Sequence, residues 1–419
     1  MLDILLSDSK AVKIASHPLA TTNAGMTGRN ASRFERQPFN DRNKMKTSVL
    51  FIVFLSALAF GGISKDELHP WKNQKKVLVL LLEWSDRPSS INVSEVEEAF
   101  FGESLSLKKF FHENSSGTYD ISGEVMPWRS SSLKWEELSS CQLNTIVQEA
   151  WQVFSSDIEI SSYDSDSNGK IDHLFILHSG RIRARSDMES PCVFMNFSKA
   201  DHTAILQSQG AWIYGNHVPI GYYLHEAGHQ YFNLPDLYGD HHHGHYGIGM
   251  WGIMGLGAWG VHNQIPTEDM FRYPSHFEPK SKEVMGWGHF QYIDSRVENV
   301  TLRPVETSGD IVVVKNLQGG ENFYLEYRSA QGFSENHLGH GLLIWKGYKL
   351  VQADGRDDLN SGTDLGRNPT PPIDENFGDA SDPFPGSGDV RYYHDQETGI
   401  ILKNIRLEEG VVKLDVQFP

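Results

Sequence analysis

Hydrophobic positions along the chain follow two rhythms, and the change-over lies near residue 290. In "KKVLVLLLEWSD" (75–86) an unbroken apolar run, Val77 to Leu82, stands between two lysines and a charged turn. Such a run predicts a strand buried on both faces. Leu105, Leu107, Phe110 and Phe111 then repeat at helical spacing, Gly117 interrupts them, and Thr118 to Val125 reads as a second strand. Across 141–154, Leu143, Ile146, Val147, Ala150, Trp151 and Phe154 mark one face of a helix. Leu174 to Leu177 is a further buried strand, and a helix is expected over 222–234.

Beyond about residue 290 the elements shorten. "NVTLRPV", "DIVVVKNL", "NFYLEYR", "GLLIWKGYKLVQA" and "GIILKNIRLEEGVVKLDVQF" are strand-like runs parted by Gly, Asn and Asp turns. No repeat of solenoid period is present. The pattern predicts an α+β protein with a mixed α/β domain over 63–290 and a β-rich C-terminal domain over 291–419.

One apolar run stands apart. "NKMKTSVLFIVFLSALAFGG" places Lys44 and Lys46 before an uncharged stretch from Val49 to Phe60, with Ala57 and Ala59 at A-x-A spacing. This is the layout of a secretory signal peptide, assigned to 45–62, with Met45 as initiator. Residues 1–44 then read as a disordered upstream extension. The run is shorter than the roughly 20 residues a membrane span needs, so no stable membrane anchor is expected, a single-pass anchor being the alternative. A secreted, extracellular chain makes a disulfide between Cys141 and Cys192 the default, with two buried thiols as the alternative. It also makes Asn92, Asn114, Asn196 and Asn299 candidate glycan acceptors. The net charge of −17 argues against a nucleic-acid partner, because polyanion binding needs clustered Lys and Arg.

The chemistry concentrates in "YLHEAGHQYFNLPDLYG" (223–239). Histidines four apart share one helix face, so His225 and His229 can aim at one ion. Glu226 lies about a third of a turn away, where it can reach a water on that ion as a general base. Zinc there would acidify the water and polarise a scissile carbonyl. A third ligand should lie close by. Pro235 disfavours helix at Leu234, and Asn233 tolerates the left-handed conformation that ends helices. The chain should therefore turn back and bring Asp236 near the metal, with Asp240, His241, His243 and His245 as competitors. "GIGMWGIMGLGAWG" surrounds Met254 with glycines, as a methionine turn beneath zinc histidines would require, or as a packing loop would without any metal.

A second metal pattern precedes it. "DSDSNGKID" sets Asp164, Asp166, Asn168 and Asp172 at alternating positions, with Gly169 at the sharp turn and the Lys170 carbonyl as a further oxygen. The spacing suits a structural Ca2+, shortened from the full loop because Phe175 stands where the last glutamate would be.

These segments, with "SLKKFFHENSSGTYDISGEV", "KEVMGWG", "GHGLLIW", "QADG" and "DASDPFPG", resemble the immune inhibitor A family of secreted zinc metallopeptidases from about Lys76 to the C-terminus. The resemblance implies a zincin-type, metzincin-like metallopeptidase domain, with a mixed sheet plus active-site helix, followed by the β-rich domain. It implies one catalytic Zn2+, bound Ca2+, and protein or peptide substrates. By motif, His225 and His229 match the zinc histidines, Glu226 the catalytic glutamate, Met254 the Met-turn and Asp236 the third ligand. The chain departs from the family in four ways. Asn233 replaces a glycine, and one extra residue makes His229 to Asp236 seven positions. Lys346 stands where a histidine is usual, and the long propeptide is missing. A zinc endopeptidase is the leading expectation. An inactive binding protein on the same scaffold is the alternative, and a calcium-dependent adhesion module a weaker third.

Overall fold

The computed structural model describes residues 75–138, 143–180, 197–207, 217–238, 247–260, 271–337, 339–357, 359 and 377–419. The signal segment 45–62, the extension 1–44, Cys141, Cys192, Asn196, Asp240, His241, His243 and His245 lie outside the described residues. Among the described residues no helix is long and apolar enough to cross a membrane.

Strand β1 (Lys75–Glu83) carries the apolar run. It pairs with β2 (Ile121–Ser130) on one side and β3 (Ile171–His178) on the other, and β3 pairs with β4 (Ala200–Gln207), giving the order β2-β1-β3-β4. Both faces of β1 are covered, which is why the run shows no alternation. Val77, Val79 and Leu81 join a core with helix α1 (Val93–Phe101), helix α2 (Leu107–Asn114) and the histidine helix; Leu78, Leu80 and Leu82 face helix α3 (Leu143–Phe154). The sheet differs from the mixed one expected, since every pairing among its described strands is parallel. Parallel neighbours need crossovers, and here α1 with α2, then α3, supply them.

After the histidine helix, α4 (Ile220–Phe232), come α5 (Pro279–Met285), β5 (His289–Ile293), β6 (Val297–Leu302), α6 (Val305–Ser308), β7 (Asp310–Val314) and β8 (Phe323–Arg328). Then follow β9 (Gly341–Lys346), β10 (Lys349–Val351), β11 (Tyr392–His394), β12 (Ile401–Glu408) and β13 (Val411–Gln417). They build a five-stranded sheet, β10-β9-β8-β7-β5, and an antiparallel four-stranded one, β11-β12-β13-β6. The mixed sheet is the five-stranded one, with β5 parallel to β7 and the other pairs antiparallel.

One face of that sheet shares a core with the four-stranded sheet, through residues such as Val312, Leu325 and Ile344 against Leu402, Leu414 and Val416. The other face positions the site. Ile311, Val313, Tyr324 and Trp345 pack on Ile248 and Trp251, which open the glycine-rich segment behind α4. Gly61–Pro419 forms one compact unit.

Candidate metal centre

Helix α4 runs Ile220–Phe232, and its end is set by Asn233, which adopts φ 52°. The Asn233 N–H donates to the His229 carbonyl at 3.0 Å, and Leu234 N–H reaches back to the Gly228 carbonyl at 3.2 Å. This left-handed cap normally asks for glycine but accepts asparagine. It reverses the chain, so Asp236 faces the helix it has just left.

The three ligand candidates converge. His229 Nε2 lies 3.1 Å from His225 Nε2 and 3.0 Å from Asp236 Oδ1, and His225 Nε2 lies 3.2 Å from the same oxygen. The seven-residue spacing from His229 to Asp236 is absorbed by the turn, with the carboxylate reaching both imidazoles. His225 Nδ1 bonds the Ile253 carbonyl at 2.8 Å, and His229 Nδ1 bonds the Leu234 carbonyl at 2.7 Å. A carbonyl oxygen only accepts, so both Nδ1 atoms carry the proton and both Nε2 atoms present lone pairs inward. Two imidazole lone pairs and a carboxylate this close repel unless a cation or proton lies among them. Ligands on a tetrahedral zinc at 2.0–2.1 Å are about 3.3 Å apart, close to what these three atoms show. The residues fit the metal.

Charges around the site follow from that geometry. Burial works to raise the Asp236 carboxyl, but the His225 and His229 side chains beside it outweigh that and hold it well below the usual carboxylate range. His229 is raised: burial opposes its charge, and the Asp236 carboxylate and Leu234 carbonyl outweigh that. Glu226 is only 5% exposed, and burial raises it, against the pull of His225 and His229. A carboxylate so placed accepts a proton more readily than one in water.

Met254 is fully buried directly beneath α4. A β-carbon built on Gly228 would meet its sulfur at 2.5 Å, so the helix lies on the methionine because residue 228 has no side chain. Two consecutive carbonyls of this turn serve the site. Ile253 accepts from His225, and Met254 accepts the Leu237 N–H at 2.7 Å, fixing the peptide next to Asp236. Ile253 N–H in turn donates to the His276 carbonyl at 3.0 Å, which anchors the turn to the segment before α5.

Sequence reasoning did not single out several residues around this centre. The Ile253 and Leu234 carbonyls leave no side-chain signature. Tyr238 stacks beside His225, with ring centroids 6.0 Å apart and planes 19° apart. It is pushed up to about 12 by burial, then by the Asp236 charge and a hydrogen bond to it, and by Glu226. Its place in "LPDLYG" was the available signal. Tyr222, one turn before Glu226, is raised well above its ordinary value by burial and by the Glu226 charge.

The acidic loop forms a second cluster, with ligand-type oxygens of Asp164, Asp166 and Asp172 converging. Asp164 accepts the Gly169 N–H at 2.7 Å and the Asn168 N–H at 3.0 Å, and Gly169 sits at φ 86° as the turn requires. The Asn168 side-chain oxygen accepts the Lys170 N–H at 2.9 Å, while its amide donates to Asp166 and to Asp201. Asp201, at the start of β4, also pairs with Lys170 at 3.2 Å; the sequence places it too far away to have been read as part of the loop. Three converging carboxylates fit a hard divalent cation.

Of the sequons, Asn92 and Asn299 are exposed, at the start of α1 and within β6. Asn114 is 1% exposed, its amide donating to the Phe110 carbonyl and accepting the Phe277 N–H, which leaves no room for a glycan. Compared with known proteins, the chain matches no family profile and no curated protein.

Proposed function

We propose that the protein is a secreted zinc endopeptidase of the immune inhibitor A type, with a zincin-like catalytic domain. The observation that carries the reading is the triangle of His225 Nε2, His229 Nε2 and Asp236 Oδ1, all within 3.2 Å of one another, with both imidazole protons committed to carbonyls. Zinc held by these three residues would supply an acidified water and a polarised scissile carbonyl. Glu226 follows His225 on α4, and buried beside the triad it takes the proton from the attacking water and passes it to the leaving amine. The Ile253 and Leu234 carbonyls fix both imidazoles in the tautomer that points lone pairs inward. Met254 and Gly228 set the height of the helix, and Tyr238 orients Asp236. The acidic loop at 164–172 is proposed to hold a structural calcium.

Chelation followed by metal add-back tests this. Casein hydrolysis should vanish on dialysis against a zinc chelator and return with zinc alone, calcium alone restoring none. Hydrolysis that survives chelation would remove the zinc reading. The binding-protein alternative would gain if purified protein retained zinc and cleaved nothing.

A further inference from the structure

Beside Glu226 lies an aromatic group with no part in holding a metal. Tyr222 stands one helical turn before Glu226, so the two share a face of α4. Its ring centroid is 5.8 Å from that of Phe271, and Phe271 lies 6.3 Å from Trp259 in an edge-on arrangement. Trp259 is 41% exposed, among the few large apolar side chains of the described residues that face solvent.

The group is held in place at a cost. Phe271 sits at φ 66°, a left-handed conformation that a bulky residue rarely adopts. Its N–H donates to the Trp259 carbonyl at 2.9 Å, and its carbonyl accepts the Gly221 N–H of the first turn of α4 at 2.7 Å. At Gly221 a β-carbon would run into the Ala258 carbonyl, so the segment carrying Trp259 lies directly against the helix only because residue 221 is bare. Strain of this kind persists where surrounding structure over-determines it, and it concentrates at ligand-binding places. A solvent-facing aromatic on such a base, continuous with the face that carries Glu226, fits a ligand side chain that is itself large and apolar.

We infer that Trp259, Phe271 and Tyr222 form the specificity shelf of the enzyme, taking a bulky apolar side chain of the substrate next to the scissile bond. This rests on the peptidase reading above. Trp259 touches the substrate; Phe271 and Tyr222 form the floor on which its ring is set.

Peptides identical except for Phe, Leu, Ala or Gly beside the scissile bond separate the possibilities, with kcat/KM measured for wild type, Trp259→Ala and Trp259→Phe. Trp259 is exposed, so both variants should fold, which a circular dichroism melt checks. Wild type should favour Phe or Leu over Ala by on the order of 10- to 200-fold, the range an apolar pocket can discriminate. Trp259→Ala should lose about tenfold or more of that preference, read as the ratio of kcat/KM for the Phe and Leu peptides to that for the Ala peptide. Trp259→Phe should keep most of it. Equal wild-type rates on all four peptides, or an unchanged preference in Trp259→Ala, would overturn the shelf and leave the peptidase reading standing. A wild type that cleaves neither casein nor any peptide would overturn both.

Discussion

A β-carbon at residue 228 would sit 2.5 Å from the Met254 sulfur and 3.3 Å from the Phe277 ring, so a single hydrogen atom decides how closely the helix lies on its floor. Gly228→Ala forces the sulfur aside in a filled core, and overpacking of this kind costs about 1–3 kcal/mol. A lower urea midpoint with an unchanged slope is the expected result; an unchanged midpoint would show that Met254 moves freely. The same scale explains why Asp236 reaches the histidines despite the longer spacing. Asn233 accepts φ 52°, and the turn, not the residue count, sets where the carboxylate lands. His225 and His229 were legible because helical spacing puts them on one face, and Glu226 because it directly follows the first of them. Asp236 was one candidate among several, because a turn's direction depends on a conformation no side chain spells out. The carbonyls that fix the imidazoles were not legible at all: backbone groups look alike at every position.

At the level of elements, continuous apolar runs were the most readable signal. The expected strand at Val77–Leu82 lies in β1, and the helix read over 141–154 is observed at Leu143–Phe154. Helix α1 escaped notice because only three of its nine residues, Val96, Ala99 and Phe100, are buried, too few to make a stripe. Strand β4 escaped for another reason: "ADHTAILQ" mixes polar and apolar residues, yet its Thr203 is fully buried and its His202 packs against the His173 ring. Whether the first sheet was mixed or parallel could not be read, because pairing direction belongs to connections and not to strands. The strand at Thr118–Val125 begins later than expected, at Ile121, since Ser115 bonds both ends of Tyr119 and holds the chain in a turn.

Across the whole molecule, the candidate metal centre leans on a buried seam between α2, α5 and the rear sheet. Lys282 Nζ donates to His276 Nδ1 at 3.1 Å, so His276 Nε2 carries the ring proton and donates to Glu113 at 2.7 Å. The His276 carbonyl then holds the Ile253 peptide, whose own carbonyl holds His225. Burial, with Glu306 nearby, pushes Glu113 from 4.5 up to about 7, against the Phe333 N–H, Lys109 and Lys282. The folded chain therefore keeps a proton there that the unfolded chain has already released. That contribution to stability is complete below pH 4.5 and is lost as pH rises through about 7. Glu113→Gln has no such proton to lose. Relative to wild type, the variant should gain on the order of 3 kcal/mol between about pH 4.5 and 8, since a tenfold change in proton affinity is worth about 1.36 kcal/mol. Urea titrations of both proteins across that range measure it, and parallel stability curves would contradict it.

The central claim is that His225, His229 and Asp236 hold zinc and Glu226 works beside it. Metal analysis of protein beginning near Ile63, run alongside a casein assay of wild type and Glu226→Ala, tests this most directly. One zinc per chain is expected in both, with hydrolysis in the variant lower by on the order of 10²- to 10⁴-fold. A wild type without zinc, or a Glu226→Ala variant that cleaves as well as wild type, would contradict it.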